Sequence, residues 1–424
     1  MARGMRDSGV SWIGDIPNHW VVRKVRAFYK LTTGFTPPSR DESLYDANGR
    51  VWLTISDLKQ KIVCDSKQKI SNLIAQEHIQ DIVPKGSLLY SFKLSVGTVA
   101  IAGCDLYTNE AIAAFHPSGK IHIPFLYYSS SLITENAREN IYGARLMNQD
   151  LIYSAPIVFP PLSEQRAIAD YLDEKCGAID AAIAEAKKGI EEYKAWKKAI
   201  IEETVFSGLR HKESVETGDD WLISIPSSWG FEQIRYLFAL RDERNDKPLS
   251  EVNLISLYTD QGVVQHCDLE KTTGNKASTA DGYKIVKEND IVVNIILCWM
   301  GAIGRSAYNG VTSPAYDVYQ PIDESRVLSK YYHYLFRTSR FNGKCYQEGR
   351  GIMMMRWRTY SSEFRAIKVP VPPMKEQQAI ADYLDEKCAA IDTLVAEKEK
   401  LIADLEAYKK SLIFELVTGK REVA

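Results

Sequence analysis

Cations and aromatic residues alternate along positions 326–368 of this 424-residue chain. The stretch holds ten Lys/Arg against only two acidic residues, Glu348 and Glu363. Arg337, Arg340, Lys344, Arg350, Arg356 and Arg358 are interleaved with Tyr331, Tyr332, Tyr334, Phe336, Phe341, Tyr346, Trp357 and Tyr360. Such a mixture suits nucleic acid: cations hold phosphates and set register, while a few Arg, Asn or Gln side chains reach base edges. Gly349-Arg350-Gly351 is the best loop candidate, because glycine lets the backbone approach a ligand closely. An earlier run, Gly143-Ala-Arg145-Leu-Met-Asn148-Gln149, stands at the corresponding place before a proline cluster. Its guanidinium and amide groups suit guanine and adenine edges. The candidate DNA contacts are Arg40, Lys93, Arg145, Asn148, Gln149, Arg305, Lys344, Arg350, Arg356 and Arg358.

Catalytic chemistry is not legible. The sequence has no G-x-x-x-x-G-K-[ST] loop, which excludes a P-loop ATPase. Ser313-Pro314-Ala315-Tyr316 is superficially like the N/D-P-P-Y/F tetrapeptide of amino-methyltransferases, but lacks the leading Asn/Asp and the second Pro. No Ser/His/Asp or paired-carboxylate set stands at suggestive spacing. The seven histidines form no metal-ligand cluster, His116 and His122 being the nearest pair. Seven cysteines with no C-x-x-C pair read as reduced thiols of a cytosolic protein. No apolar run approaches the roughly 18 residues that span a membrane, and Met-Ala-Arg-Gly-Met-Arg-Asp lacks a signal core. The expectation is a cytoplasmic recognition part with no membrane partner, no catalytic residue, no metal and no cofactor of its own.

The elements that must position these residues come in two copies. Ala-Ile-Ala-Asp-Tyr-Leu-Asp-Glu-Lys-Cys occurs at 167–176 and again at 379–388, without a mismatch. Trp12-Ile-Gly-Asp-Ile-Pro-Asn-His-Trp20 and Trp221-Leu-Ile-Ser-Ile-Pro-Ser-Ser-Trp229 share W-x3-I-P-x2-W, so the repeat extends into the modules. Gly97 aligns with Gly301 and Pro117 with Pro321. Strand signals at 51–58, 85–103 and 288–304, with helical segments at 124–140 and 328–342, make each module α+β. Pro156, Pro160 and Pro161 close the first module, and Pro370, Pro372 and Pro373 the second. A long helix begins after each cluster, with Glu164 or Glu376 in its first turn and Gly208 or Gly419 at its end.

Leu172, Ile179, Ala186, Tyr193 and Ile200 recur every seven residues, with Cys176, Ile183, Ile190 and Lys197 as a companion seam. Leu384, Ile391, Leu405 and Leu412 with Cys388, Val395, Ile402 and Lys409 repeat the pattern, interrupted by Lys398. The expected fold is two globular α+β domains, each a candidate to recognise a DNA target, joined by two long helices in an antiparallel intramolecular coiled coil, a pseudo-two-fold repeat. The boundaries read as 1–162, 163–208, 209–373 and 374–424. Some 40 residues of helix make a rod of roughly 60 Å. Net charge is only −2, but 163–207 and 374–424 each carry −3, leaving both modules net positive.

In these motifs the chain resembles the specificity (S) subunits of type I restriction–modification systems. The residues that carry the likeness are G-x-T-P at Gly34–Pro37, W-L-x-I-S-D-L at Trp52–Leu58, T-N-x-A at Thr108–Ala111, P-P-L-x-E-Q-x-A-I-A at Pro160–Ala169 and its second copy at Pro372–Ala381. The second module departs from the pattern: Arg241–Pro248 replaces G-x-T-P, and Thr312-Ser-Pro-Ala315 replaces T-N-x-A. The resemblance implies a non-catalytic subunit that reads a bipartite, asymmetric site on double-stranded DNA. It implies two methyltransferase subunits that methylate adenine N6 and two restriction subunits as partners, with S-adenosylmethionine, ATP and Mg on those partners. A modification-only or type IIB-like assembly is the alternative. On the helices, Glu164, Gln165, Asp170, Glu376, Gln377 and Asp382 are the expected partner-facing residues.

Overall fold

The computed structural model describes all residues except 1, 2, 30, 39, 40, 94, 140, 142, 144, 211, 212, 266–278, 352–356 and 424. Arg40 and Arg356 therefore lie outside the described residues.

Two helices, Leu162–Ser207 and Met374–Val417, span 46 and 44 residues. They are rich in Ala, Glu and Lys, good helix formers. Glu164 and Glu376 occupy the first turns, where backbone N–H groups favour negative charge. Gly208 and Gly419 stop them at φ +76° and +74°, a left-handed conformation that glycine adopts without a steric penalty.

The chain divides into two compact units, one of residues 1–186 with 400–424 and the other of residues 187–399. Each unit holds one module and a piece of both helices. In the first unit Ile179 and Ile183 are buried in one cluster with Leu412 and Leu416. Lys409 Nζ donates to both carboxylate oxygens of Asp180 at 2.6 and 2.7 Å. In the second unit Val205 and Phe206 share a core with Ile380 and Leu384, and Lys197 Nζ donates to Asp392 at 2.7 Å. The end of one helix thus meets the start of the other in each unit, which is antiparallel pairing. The two Lys–Asp pairs are the same pair counted from either helix. Lys398, which breaks the apolar seam, lies against Gly189, where a Cβ would come 3.0 Å from its Cε, and its ammonium sits 5.8 Å from the Tyr193 ring centroid.

The largest described sheet of each module follows a shared strand order. In the first the order is Leu31–Thr33, Ile112–Phe115, Leu88–Ser91, Val99–Ala102 and Ile62–Val63, antiparallel except for the last pair. The second repeats the first four places with Phe238–Leu240, Tyr316–Pro321, Ile291–Asn294 and Ile303–Arg305. The aligned glycines Gly97 and Gly301 take φ +91° and +90° in the turns between the third and fourth strands. A separate two-stranded ladder closes each module, Val21–Lys24 with Pro156–Phe159 and Gly230–Gln233 with Lys368–Val371. The short helices Ile123–Ser129 and Ser329–Phe336 cover the sheets, burying Phe125 and Leu126 in one and Tyr331, Tyr332 and Phe336 in the other.

Candidate nucleic-acid interface

The motifs that carried the resemblance meet in the first module. The chain at Gly34 lies so close to Thr108 that a Cβ would fall 1.6 Å from its carbonyl oxygen. Phe35 N–H donates to that oxygen at 3.0 Å, and Trp52 Nε1 donates to the Phe35 carbonyl at 2.9 Å. Asn109 N–H donates to Leu53 O at 2.9 Å, and Thr54 and Asp57 form a capping box. Thr36 donates its hydroxyl to Glu110, and chiefly this bond holds the Glu110 carboxyl below its ordinary range. Lys93 stands 3.7 Å from Glu110, so that candidate cation is partly neutralised. In the second module Arg241 follows the corresponding strand. It takes over the tethering by donating to both oxygens of buried Asp290, at 2.7 and 3.1 Å.

The two loops singled out before the proline clusters each carry an antiparallel pairing among their described residues. In the first module Arg138–Glu139 pairs with Arg145–Leu146, with Gly143 at φ +73° in the turn. Ile141 is 91% exposed there and Arg145 lies 3.5 Å from Glu135. In the second module Arg350 and Arg358 form an antiparallel bridge. Arg350 pairs with Glu363 at 2.6 Å, and its guanidinium lies 5.2 Å from the Tyr360 ring centroid. Tyr346 and Trp357 stack beside it with centroids 4.9 Å apart. Each hairpin precedes a one-turn helix, Gln149–Ser154 or Ser361–Ala366, and then the closing strand.

Several expected DNA contacts have other occupations. Asn148 caps the helix Gln149–Ser154, accepting from Leu151 N–H at 2.8 Å, and Gln149 donates to Thr33 Oγ1 at 3.2 Å. Lys344 is only 12% exposed and faces Glu348, Asp219 and Asp220 at 2.8, 4.0 and 3.7 Å. Arg305 donates to Asn289 Oδ1 at 2.8 Å, near Glu288. Arg337 donates to the carbonyls of Gly301, Ile303, Thr259 and Asp260. Tyr331, Tyr332, Phe336 and Phe341 are core, not a stacking platform. The basic stretch looked continuous because its balancing carboxylates, Glu202, Glu232, Asp219 and Asp385, lie far away in sequence. Of the described candidate contacts Arg350 is the most open, at 68% side-chain exposure, ahead of Lys93 at 49% and Arg145 at 45%.

The E-Q pair after each proline cluster is a latch between helix and module. Trp20 Nε1 donates to Glu164 and Trp229 Nε1 to Glu376, both at 2.9 Å. Burial pushes Glu164 upward, but hydrogen bonds from His19, Trp20 and Arg3 outweigh it and hold the carboxyl below its ordinary range. The same tryptophans pack on the helix-ending glycines: a Cβ at Gly419 would sit 2.9 Å from Trp20, and one at Gly208 3.2 Å from Trp229. The shared W-x3-I-P-x2-W segment therefore clamps the start of one helix to the end of the other in each unit. Gln165 and Gln377, expected to face partners, are 2% and 0% exposed. Gln165 accepts from His122 N–H and donates to Pro160 O, each at 2.9 Å. Gln377 accepts from Leu328 N–H and donates to Arg326 O and Pro372 O, each at 2.8 Å. They face inward because each satisfies the first N–H of a module helix. Asp173 and Asp385 complete the latch, accepting from Tyr128 and Tyr334 hydroxyls at 2.5 and 2.6 Å. Sequence reading missed these two, although both lie inside the ten-residue repeat. Asp170 and Asp382 are exposed as expected, Asp382 accepting from Gln378 at 2.8 Å.

Among the described residues no group of three or more His, Cys, Asp and Glu side chains could hold a metal ion, and no helix is long and apolar enough to cross a membrane.

Known proteins share both sequence pattern and fold. Two specificity subunits of type I restriction enzymes from Methanocaldococcus jannaschii are similar. The MjaIX subunit is 24% identical over 248 residues, and the match spans 55% of each chain, about half of that relative's length. The MjaX subunit is 25% identical over 446 aligned positions, covering 97% of this chain and 96% of that one. A chain from a structure on complex assembly and conformational transition of a type I restriction–modification system superposes with a TM-score of 0.72 at 13% identity, covering 96% of this chain and 99% of that one. The HsdS subunit from Thermoanaerobacter tengcongensis gives 0.55 at 13% identity, covering 96% and 98%. The family model for the type I restriction modification DNA specificity domain matches twice, at residues 17–191 and 228–403. Since these matches take in both modules and the first part of each helix, the chain belongs to the type I restriction–modification DNA specificity family.

Proposed function

We propose that this chain reads a bipartite, asymmetric site on double-stranded DNA, one module to each half, and brings two methyltransferase and two restriction subunits to it. The carrying observation is that one scaffold bears two different sets of loop residues. Sheet order, latch and hairpin position agree between modules, whereas Gly34 answers to Arg241, and Arg145 beside Glu135 answers to Arg350 over Tyr360. A reader of two identical half-sites keeps its reading surfaces alike, as dimeric readers do. A reader of two unlike half-sites must vary the loops and keep the frame. Each long helix contributes residues to both units.

In this reading the chain has no reaction of its own. Adenine flipping and N6 methylation from S-adenosylmethionine fall to the methyltransferase partners, and ATP- and Mg-dependent steps to the restriction partners. Exposed Asp170 and Asp382, at the same place in the exact repeat, are the partner-facing candidates. Work on cytoplasmic DNA follows from this role. The test is co-expression with the methyltransferase partner and mapping of methylated adenines across a genome. A split motif of two unlike halves is expected. An active complex that methylates no defined motif refutes the reading.

A further inference from the structure

We infer that Arg350 reads a guanine in the half-site of the second module, held in its reading plane by Glu363 and Tyr360. The inference rests on the proposed reading of DNA sequence by the modules and names the residue that discriminates in one of them.

The backbone at Arg350 is fixed from both sides. Its N–H donates to Arg358 O at 2.9 Å, and Arg358 N–H returns a bond to Arg350 O at 3.0 Å. Gly349 before it touches Trp357, where a Cβ would fall 2.4 Å from Nε1. Thr359 anchors the far strand of the hairpin through its N–H to Ile295 O at 3.0 Å and its hydroxyl to Cys345 O at 2.7 Å. The side chain is then oriented by two contacts. Glu363 Oε1 pairs with one terminal nitrogen as an ion pair at 2.6 Å, and Tyr360 lies against the guanidinium at 5.2 Å. With these two contacts made, 68% of the side chain is still exposed. Among the described residues no ring lies under Arg145 in the corresponding hairpin.

This arrangement is poor for phosphate and good for a base. A carboxylate 2.6 Å away cancels most of the charge that a phosphate contact would use. It does not block geometric recognition. A guanidinium fork with a fixed plane matches two adjacent acceptors, and in the major groove guanine O6 and N7 supply them; this Arg–guanine pairing is the commonest specific contact. Fixing the plane in the free protein removes the ordering that a loose side chain must undergo on binding. Glu363 is thus a positioning residue.

The test uses the full chain assembled with its methyltransferase partner, with methylated adenines mapped genome-wide and assembly checked by co-elution. R350K keeps the charge and loses the fork; Arg350 is a surface side chain, so folding is not at stake. The expected result is a wild-type motif with one required guanine in one half. R350K should lose roughly 5- to 150-fold of the discrimination at that position alone, the range a bidentate base contact supplies. E363Q should broaden the same position more weakly and leave the rest of the motif intact. Three results overturn the inference: a wild-type motif without guanine in either half, an unchanged motif in R350K, or methylation that falls evenly at all sites in R350K. If the wild-type complex methylates no motif at all, the underlying reading fails instead, and that outcome is visible before any variant is made.

Discussion

The helix–module latch makes a quantitative prediction at Gln377. Replacing it with Met keeps side-chain length and removes three hydrogen bonds at a site with no solvent exposure. The orphaned groups are the Leu328 N–H, at the start of a core helix, and the carbonyls of Arg326 and Pro372. A buried polar group without a partner costs about 1–3 kcal/mol. A carbonyl has two lone pairs and recovers part of the loss, so the sum falls at about 3–5 kcal/mol. For a unit of about 200 residues each kcal/mol lowers Tm by roughly 2–4 °C, so Gln377→Met should lose on the order of 10 °C. Thermal unfolding of the full chain, followed by far-UV circular dichroism, measures it. Gln378→Met is the control: that side chain is exposed and bonds only to Asp382, and its change should stay within about 0.5 kcal/mol. Gln165→Met breaks two bonds instead of three and should fall between them. If Gln377→Met and Gln378→Met unfold within about 1 kcal/mol of each other, the latch does not hold the module to its helix.

Gly419→Ala combines a left-handed φ with a Cβ 2.5 Å from Pro17 and should cost about 2–4 kcal/mol in thermal unfolding; Gly208→Ala, with 3.2 Å to Trp229, should cost less. Burial first, then the neighbouring charges of Arg337 and Arg305, push His333 down to about 3. The unfolded chain therefore takes up that proton first, and the His333 contribution is intact above pH 6.5 and lost as pH falls from 6.5 towards 3. In acid titrations monitored by fluorescence, His333→Gln should flatten this limb, since Gln can still accept from Arg305 N–H. Lys409→Asp should be mildly destabilising and Asp180→Lys should restore it; Asp180 is 58% and Lys409 29% exposed, so urea midpoints should report a coupling of about 0.2–1 kcal/mol.

Long-range order was legible where it was written as repetition or periodicity. The ten-residue identity located both helices, and the seven-residue spacing of Leu172, Ile179 and Ala186 marked residues that are all buried. The glycine alignment of Gly97 with Gly301 found two turns of equal φ. Surface chemistry was less legible. Asn148 looked like a base reader because Asn is the residue for adenine edges and also the residue for helix caps, and sequence does not separate the two uses. Lys344 looked open because Asp219 and Asp220 are more than 120 positions away in the chain. Gln165 and Gln377 looked outward because Gln is polar; their burial follows from a distant N–H that needs an acceptor.

The latch narrows what the exact repeat can be for. Of its ten residues, Ile168, Ala169, Leu172 and Cys176 are buried, as are Ile380, Ala381, Leu384 and Cys388 in the second copy. Asp173 and Asp385 are bonded to their own modules. Packing and latching therefore account for five of the ten positions. Ala167, Asp170 and Glu174 are exposed in one copy and Ala379, Asp382 and Glu386 in the other. Glu174 pairs with Lys175 at 2.9 Å and Glu386 with Lys387 at 3.7 Å, and each lysine lies near a tyrosine ring, Tyr171 or Tyr383. Surface ion pairs of this kind add little stability, so the fold alone does not require the same residues twice at these exposed sites. The proposed presentation of one surface to two copies of the same partner would require it. Under the proposed reading the modules face the opposite demand, since unlike bases would call for unlike loops, and there Arg145 with Glu135 has become Arg350 with Glu363 and Tyr360.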